Sequence, residues 1–416
     1  MADCDVLIVG AGPVGLLTAL TLAQAGAKVM VIEGNAAPND SPRAASYFAT
    51  SLIVFRELGI LDEVDARGIH VSLFGHHVPE YDFHALISME CMKGITYDYQ
   101  LHVGQHILCD IVIDRLRQRD MPVLFGHRLT GLHDDGGLVR ATIETAEGVQ
   151  QIDARWVIGA DGARSAVRRL AGIAWDGFTW DNHFIATNVY CDMASLGYQQ
   201  ANFICDPVSG GVVAQLDAEG LWRLTYSEDA WLEPETYRDR LPSRYRGFIP
   251  KGMKYEIASS SPYALHQRCS ETLRKGRILL AGDAGHTTNP CGGLGLTSGM
   301  WTGVVLADLL GAVLKGDEDA AILDRWSDER RRIFLDIVNP GAIRNKVMME
   351  ERDPLQRRKD MEGVKPMIDN PELAKLMMFF PFRVIGDTLR EGSRWAGVDP
   401  TIAAGLELSE RHSQLA

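Results

Sequence analysis

A chain of 416 residues, 46% hydrophobic and 23% charged, is long enough to bury a sizeable core and to divide into two or three domains. Its 42 Lys and Arg against 55 Asp and Glu leave a net charge of −13. That balance argues against a nucleic-acid partner, which needs clustered positive charge to displace counterions. Seven scattered cysteines without C-x-x-C spacing read as free thiols in a reducing, cytoplasmic setting rather than as a disulfide framework or a zinc site. No leader pattern precedes the first strand, and the apolar stretch 376–385 is too short to span a bilayer of about 30 Å. No membrane span is expected.

In chain order, residues 5–9 form a buried-strand run that enters Gly10-Ala11-Gly12-Pro13-Val14-Gly15. A helical stretch at 14–25 and a second strand at 28–32, ending on Glu33, follow. Gly10 permits a tight turn, Gly12 lets the backbone approach a pyrophosphate, and Gly15 lets helix and strand pack closely. The helix N-terminus then offers unpaired N–H groups to phosphates. Glu33 lies where a carboxylate takes the ribose hydroxyls of an adenosine. A glycine motif with strand, helix, strand and acid all in place meets its context test, but it does not separate FAD from NAD.

Strand-rich, aromatic-containing stretches at about 70–100 and 183–270 flank the remaining nucleotide signatures. Between them, residues 154–160 read as a strand that turns at Asp161-Gly162 into a helix at 166–171. Asp161 either holds ligand hydroxyls or simply caps that helix, and its residue type suits both. Short strands follow at 182–190, 201–205, 211–215 and 221–226, punctuated by Gly, Pro and Asp. Residues 277–282 form another buried strand ending at Gly282-Asp283, where an Asp suits a polyol such as ribitol. A glycine-rich loop from Pro290 through Gly293, Gly295, Leu296 and Thr297 to Gly299 comes next, with a helix expected from near Met300. After Gly316 the pattern is helical to the end.

These signatures predict an α/β fold in which a discontinuous Rossmann-like domain is interrupted by a mainly β-sheet insertion. The expected boundaries are 1–72, 97–182 and 272–340 for the nucleotide domain and 73–96 and 183–271 for the substrate domain. Residues 341–416 form a helical C-terminal region.

The three motifs, in this order and spacing, resemble the single-component flavin-dependent aromatic hydroxylases, the family of para-hydroxybenzoate and phenol hydroxylases, over about residues 3–340. The resemblance implies that Gly10, Gly12, Pro13, Val14, Gly15 and Glu33 hold the ADP half of FAD. It also implies that Asp161 and Gly162 serve both FAD and a passing NAD(P)H, and that Gly282 and Asp283 bind the ribitol. Arg43 matches an arginine set against flavin and pyrophosphate, and Gln105 matches a glutamine that contacts the cofactor. Pro290, Gly293, Gly295, Leu296 and Thr297 match the loop beneath the isoalloxazine, with Thr297 standing where the family usually has Asn.

The implied activity is hydroxylation of a small phenolic or polyketide-like aromatic with NAD(P)H and O2 through a flavin C4a-hydroperoxide. The alternatives are a Baeyer–Villiger, epoxidising or rearranging enzyme on the same scaffold, or a flavin reductase that does not oxygenate. A phenol reacts best as its phenolate, so a base or cation is expected in the substrate domain, with Pro290 as a further catalytic-site residue. Arg223, Tyr226 and Tyr190 on the inserted strands are the candidates. His286 reads as a buried hydrogen-bonding residue, and His76-His77 lacks the partners of a metal site. The Met- and Phe-rich stretch 371–385 closes the pocket, makes a homodimer contact or, as expected, packs in the core.

Overall fold

The computed structural model describes residues 2–38, 45–229 and 231–405. Its first sheet brings chain-distant strands together. Val123–Phe125, Val29–Glu33, Cys4–Val9, Gly148–Gly159 and Ile278–Leu280 run parallel in that order. Where the strands lie side by side at the sheet's centre they are almost wholly apolar and buried, as expected of a parallel sheet covered by helices. Val6, Leu7 and Ile8 are fully buried, as are Leu279 and Leu280. Helices Pro13–Gln24 and Leu294–Lys315 pack on each other against this sheet.

The second sheet has eight strands, from His286–Thr287 at one edge to Phe83–Ser88 at the other. Two long strands, Trp175–Tyr190 and Glu256–Ser270, form its spine and pair antiparallel. Strand Leu73–Val78, from far upstream, joins it parallel to Ala201–Ile204. The alternation of side chains gives the sheet two different faces. On the outer face Ile185, Val189, Trp222, Leu224 and Tyr226 pack under the helix Tyr237–Tyr245. On the inner face Phe184, Leu265, Phe203, Val212 and Tyr263 meet Cys291 and Met349.

A small third sheet (Ser46–Tyr47, Gln100–His102, Ile69–Val71) lies against the second, and His102 Nδ1 donates to Gln215 O at 2.7 Å. Helix Leu294–Lys315 is long and apolar enough to cross a membrane, yet 83% of its apolar window is buried inside the protein. It is a core helix. The stretch 371–385 also packs inward, with Phe379, Phe382, Val384 and Ile385 all buried in the main core. Helix Ile322–Ile333 continues through one π-helical turn, Phe334–Val338, into Asn339–Glu350. Pro340 accounts for that wide turn, because proline supplies no N–H and its ring crowds the carbonyl one turn back.

Candidate functional site

Three neighbouring parallel strands end side by side, with Val9 opposite Gly159 and Gly159 opposite Leu280. Their C-terminal ends deliver Gly10, Asp161 and Gly282 to one edge, the place where open parallel sheets bind ligands. Gly10 has a φ of 112°, and a Cβ there would collide with the Ala160 carbonyl. Gly15 is equally crowded by Gly10 O. Gly12 differs: a Cβ added to it meets nothing within 4 Å, and it opens the helix Pro13–Gln24 with no side-chain cap. Uncapped N–H groups therefore face an open cradle, which fits the pyrophosphate of a dinucleotide.

Glu33 stands beside that cradle, its carboxylate accepting from Ala11 N at 3.1 Å and Asn35 N at 2.9 Å. Val14 supports the third motif, at 3.0 Å from where a Gly282 Cβ would lie. Asp161 Oδ2 accepts from Ala166 N at 2.6 Å and Val167 N at 3.2 Å, so it does cap the short helix Ala166–Leu170. Its other oxygen, Oδ1, is buried with no hydrogen-bond partner among the described residues. Burial pushes this carboxyl above the usual range, against the pull of the hydrogen bonds it accepts. A ligand hydroxyl would satisfy that orphan oxygen. Both readings of Asp161 therefore have support in one side chain.

Arg168 was not foreseen. It is buried, and its guanidinium donates to Ala284 O and Ala163 O, each at 2.7 Å, tying the second motif to the third. It also lies 3.9 Å from the centroid of the Trp175 ring, while Arg268 lies 5.3 Å from it. Exposed Arg164 stands in the same neighbourhood. Burial, then Arg268, Arg164 and Arg168, hold the His266 imidazole below its ordinary pKa. The result is a basic, aromatic-floored patch beside Asp161.

Asp283 is exposed where the strand Ile278–Leu280 ends. The chain then dips inward through His286 to Asn289 and returns at Pro290, with Pro290 and Gly293 exposed and Cys291 buried. The helix starts at Leu294 rather than near Met300, a correction to the sequence reading. Gly295 and Gly299 are therefore helical residues. A Cβ on Gly299 would sit 3.1 Å from Gly282 Cα, so this glycine serves close packing rather than a loop. Gly293 supplies the left-handed residue, φ 64°, that starts the helix without a side-chain cap. Thr297 is buried and Leu296 half-buried in the first turn. Gln105 opens its helix as expected, and Arg43 lies outside the described residues.

Of the three activation candidates, Arg223 and Tyr190 share the inner-face register, and of these two only Arg223 is covered by protein. Its Nε donates to Asn188 Oδ1 at 2.9 Å, and the hydroxyls of Tyr263 and Tyr47 act on it electrostatically. Burial lowers the guanidinium to about 10, so it stays charged at neutral pH. Tyr47 is fully buried, and its hydroxyl has no hydrogen-bond partner among the described residues. Tyr226 takes the opposite face, one residue parity away from Arg223, where it stacks near Phe248 under Arg244. Tyr190 is 43% exposed at the end of its strand. Alternation along the strand turns Tyr226 away from the Arg223 face, and Tyr190, in register with Arg223, stands in solvent at its strand's end. His183 shares the outer face, 3.6 Å from Glu228.

Three histidines near these surfaces are buried as neutral imidazoles. Burial lowers His102, His286 and His76 to about 4. His286 Nε2 lies 3.1 Å from Thr302 Oγ1, and its ring stacks on Phe334. In the unfolded chain each imidazole takes a proton near pH 6.5, but the folded protein takes it only near 4. The part of folding stability that depends on these rings is therefore fully present above about pH 6.5 and is lost as pH falls toward 4. Unfolding free energies measured across that window should show a slope approaching three protons, reduced by one in His286→Gln. A flat profile would contradict the burial of these rings.

The chain matches the family described as FAD binding domain over residues 3–339. It is 40% identical to para-nitrophenol 4-monooxygenase of Pseudomonas sp. (strain WBC-3), over 85% of this chain and 89% of that one. It is 36% identical to 6-hydroxy-3-succinoylpyridine 3-monooxygenase HspB of Pseudomonas putida (strain DSM 28022 / S16), over 85% and 91% respectively. The crystal structure of p-nitrophenol 4-monooxygenase PnpA from Pseudomonas putida DLL-E4 superposes with a TM-score of 0.89 at 35% identity. That match covers 93% of this chain and 99% of the other.

Proposed function

The chain belongs to the flavin-dependent aromatic hydroxylases, and from that premise we propose that this FAD-dependent monooxygenase hydroxylates a small phenol held as its phenolate by Arg223. The observation that carries the reading is the position of this charged, part-buried guanidinium. It lies on the sheet face that packs against the Pro290–Gly293 turn. The names of the relatives, a nitrophenol and a hydroxypyridine monooxygenase, support a single hydroxylated ring bearing an electron-withdrawing group.

In this reading residues 1–72, 97–182 and 272–340 carry the FAD, 73–96 and 183–271 supply the substrate layer, and 341–416 close it. Bound FAD supplies the hydride acceptor and the oxygen-activating chemistry. Glu33 and the Gly12 cradle hold its adenosine and pyrophosphate, Asp161 and Asp283 its hydroxyls. Uncapped amides at Leu294 and Gly295, which open the helix, stabilise negative charge at the ring edge. Arg223 lowers the pKa of the phenol, because an opposite charge at contact distance favours the ionised form. The ring then carries more electron density at its ortho and para carbons. Phe184, Phe203, Val212 and Tyr263 wall the face with apolar surface and keep water from the reacting atoms. Oxygen consumption with NAD(P)H, stimulated by nitrophenols and hydroxypyridines and giving a hydroxylated product, tests the reading. A ring-cleaved or lactone product would overturn it.

NAD(P)H is proposed to lay its phosphates on Arg164 and Arg268 beside Asp161. Each charge-assisted bond is worth about 1.5–3 kcal/mol. Arg164→Ala and Arg268→Ala should therefore raise the KM for the nicotinamide about ten- to a hundredfold while leaving FAD content unchanged. Steady-state kinetics on the yellow protein check this, and unchanged KM values in both would place the reductant elsewhere.

A further inference from the structure

Gln267, on the long strand Glu256–Ser270, is 3% exposed and uses both ends of its amide. Its Oε1 accepts from the Asn289 backbone N–H at 2.7 Å, from Asn289 Nδ2 at 3.0 Å and from Trp180 Nε1 at 3.4 Å. Its Nε2 donates to Thr288 Oγ1 at 2.9 Å and to Asn339 Oδ1 at 2.7 Å. The orientation of the amide is fixed, because a backbone N–H can only donate and must face the oxygen. Asn289 is fully buried and passes the constraint on, its Oδ1 accepting from Cys291 N at 3.0 Å to cap the Pro290–Gly292 turn. From the other side Asn345 Nδ2 donates to Cys291 O at 3.2 Å. One buried side chain thus joins the substrate sheet, the turn before Pro290 and the start of the helix Asn339–Glu350.

We propose that Gln267 is a positioning residue that sets the reduction potential of the bound flavin by fixing, through Asn289, the turn that aims the helix-start amides of Leu294 and Gly295 at the ring. The inference rests on the assignment of the Pro290–Gly295 segment to the isoalloxazine. Gln267 is buried with its amide engaged by protein groups, so it acts through the turn it holds. That turn leads into the helix start, so a displacement there re-aims the uncapped N–H groups at Leu294 and Gly295. Preorganised dipoles stabilise an anionic reduced ring only if they point at the charge before it forms. When the turn relaxes, the reduced form loses more than the oxidised form, and the potential falls.

The experiment uses FAD-loaded enzyme and three variants. Gln267→Leu removes all five contacts, Gln267→Glu keeps the accepting side at equal volume, and Pro290→Gly loosens the turn directly. We expect Gln267→Leu to retain FAD, to shift the visible flavin band and to lower the midpoint potential. The expected drop is about tenfold in the reduction equilibrium, about 30 mV for a two-electron couple. Gln267→Glu should fall between this variant and the parent. The KM for phenol should change little while kcat drops, a split that general loosening would not produce. If Pro290→Gly shifts the potential and neither Gln267 variant does, the inference is overturned and the turn assignment stands. If none of the three shifts it, the turn does not face the flavin, and both fall together. Should Gln267→Leu fail to fold, the Gln267→Glu potential alone decides.

Discussion

A Gly12→Ala variant should fold normally and purify without colour. Its added methyl meets no protein atom within 4 Å, and residue 12 has ordinary extended backbone, φ −77°, so neither clash nor strain opposes folding. The methyl instead fills the cradle over the uncapped amides of the helix Pro13–Gln24. Overpacking of that kind costs about 1–3 kcal/mol where it meets a rigid partner, and the loss of phosphate approach adds to it. FAD affinity should drop at least about a hundredfold, while the apoprotein melts at the parent temperature. Gly10→Ala is the contrasting case. There the methyl runs into the Ala160 carbonyl at a φ of 112°, and the penalty falls on the fold itself. Calorimetry of the apoproteins and flavin titration separate the two. If Gly12→Ala kept full flavin occupancy, the cradle would not be the pyrophosphate site.

Replacing Arg223 by Met should abolish productive phenol binding without expelling FAD. Truncating one partner of a buried, hydrogen-bonded charge pair costs about 2–5 kcal/mol, so substrate affinity should weaken about thirty- to several-thousandfold. The pH profile should change as well. In the parent, Arg223, at about 10, remains cationic through neutral pH, so under the proposed function the bound phenol should ionise below the pH at which the free phenol does. Without that charge the residual rate should climb with pH until the free phenol ionises unaided. Arg223→Lys should recover part of the affinity, limited by the lost hydrogen-bond geometry of a planar guanidinium at Asn188. Equal losses at every pH would argue that Arg223 supports packing instead of ionising the substrate.

The nucleotide half of the molecule was legible because its signals are local. Gly10 through Gly15, Asp161-Gly162 and Gly282-Asp283 each announce a strand ending in a turn within a few residues. The fold then brings those ends together by parallel pairing. The helix start was misplaced because Gly295 and Gly299 read as loop residues. Their reason is tertiary: Gly299 lets the core helix close on Gly282. The substrate half was harder. Arg223 and Tyr226 sit three residues apart on one strand, so they must face opposite sides, but nothing local says which side meets the flavin. Residues that bridge distant segments carried no signal. Arg168 reaches Ala284 across 116 positions and Gln267 reaches Asn339 across 72. Tyr47 meets Arg223 only because the small third sheet docks on the second.

The reaction itself offers the most direct check on the central claim that a phenolate held by Arg223 faces a flavin at the Pro290–Gly295 turn. Purified enzyme would be supplied with NAD(P)H, a nitrophenol and heavy-isotope oxygen gas, and the products examined by mass spectrometry. The account predicts one heavy oxygen on a ring carbon ortho or para to the phenol oxygen, with nicotinamide oxidation accelerated by the phenol in the parent and not in Arg223→Met. Phenol-independent consumption of NAD(P)H that yields only hydrogen peroxide, identical in parent and variant, would contradict it.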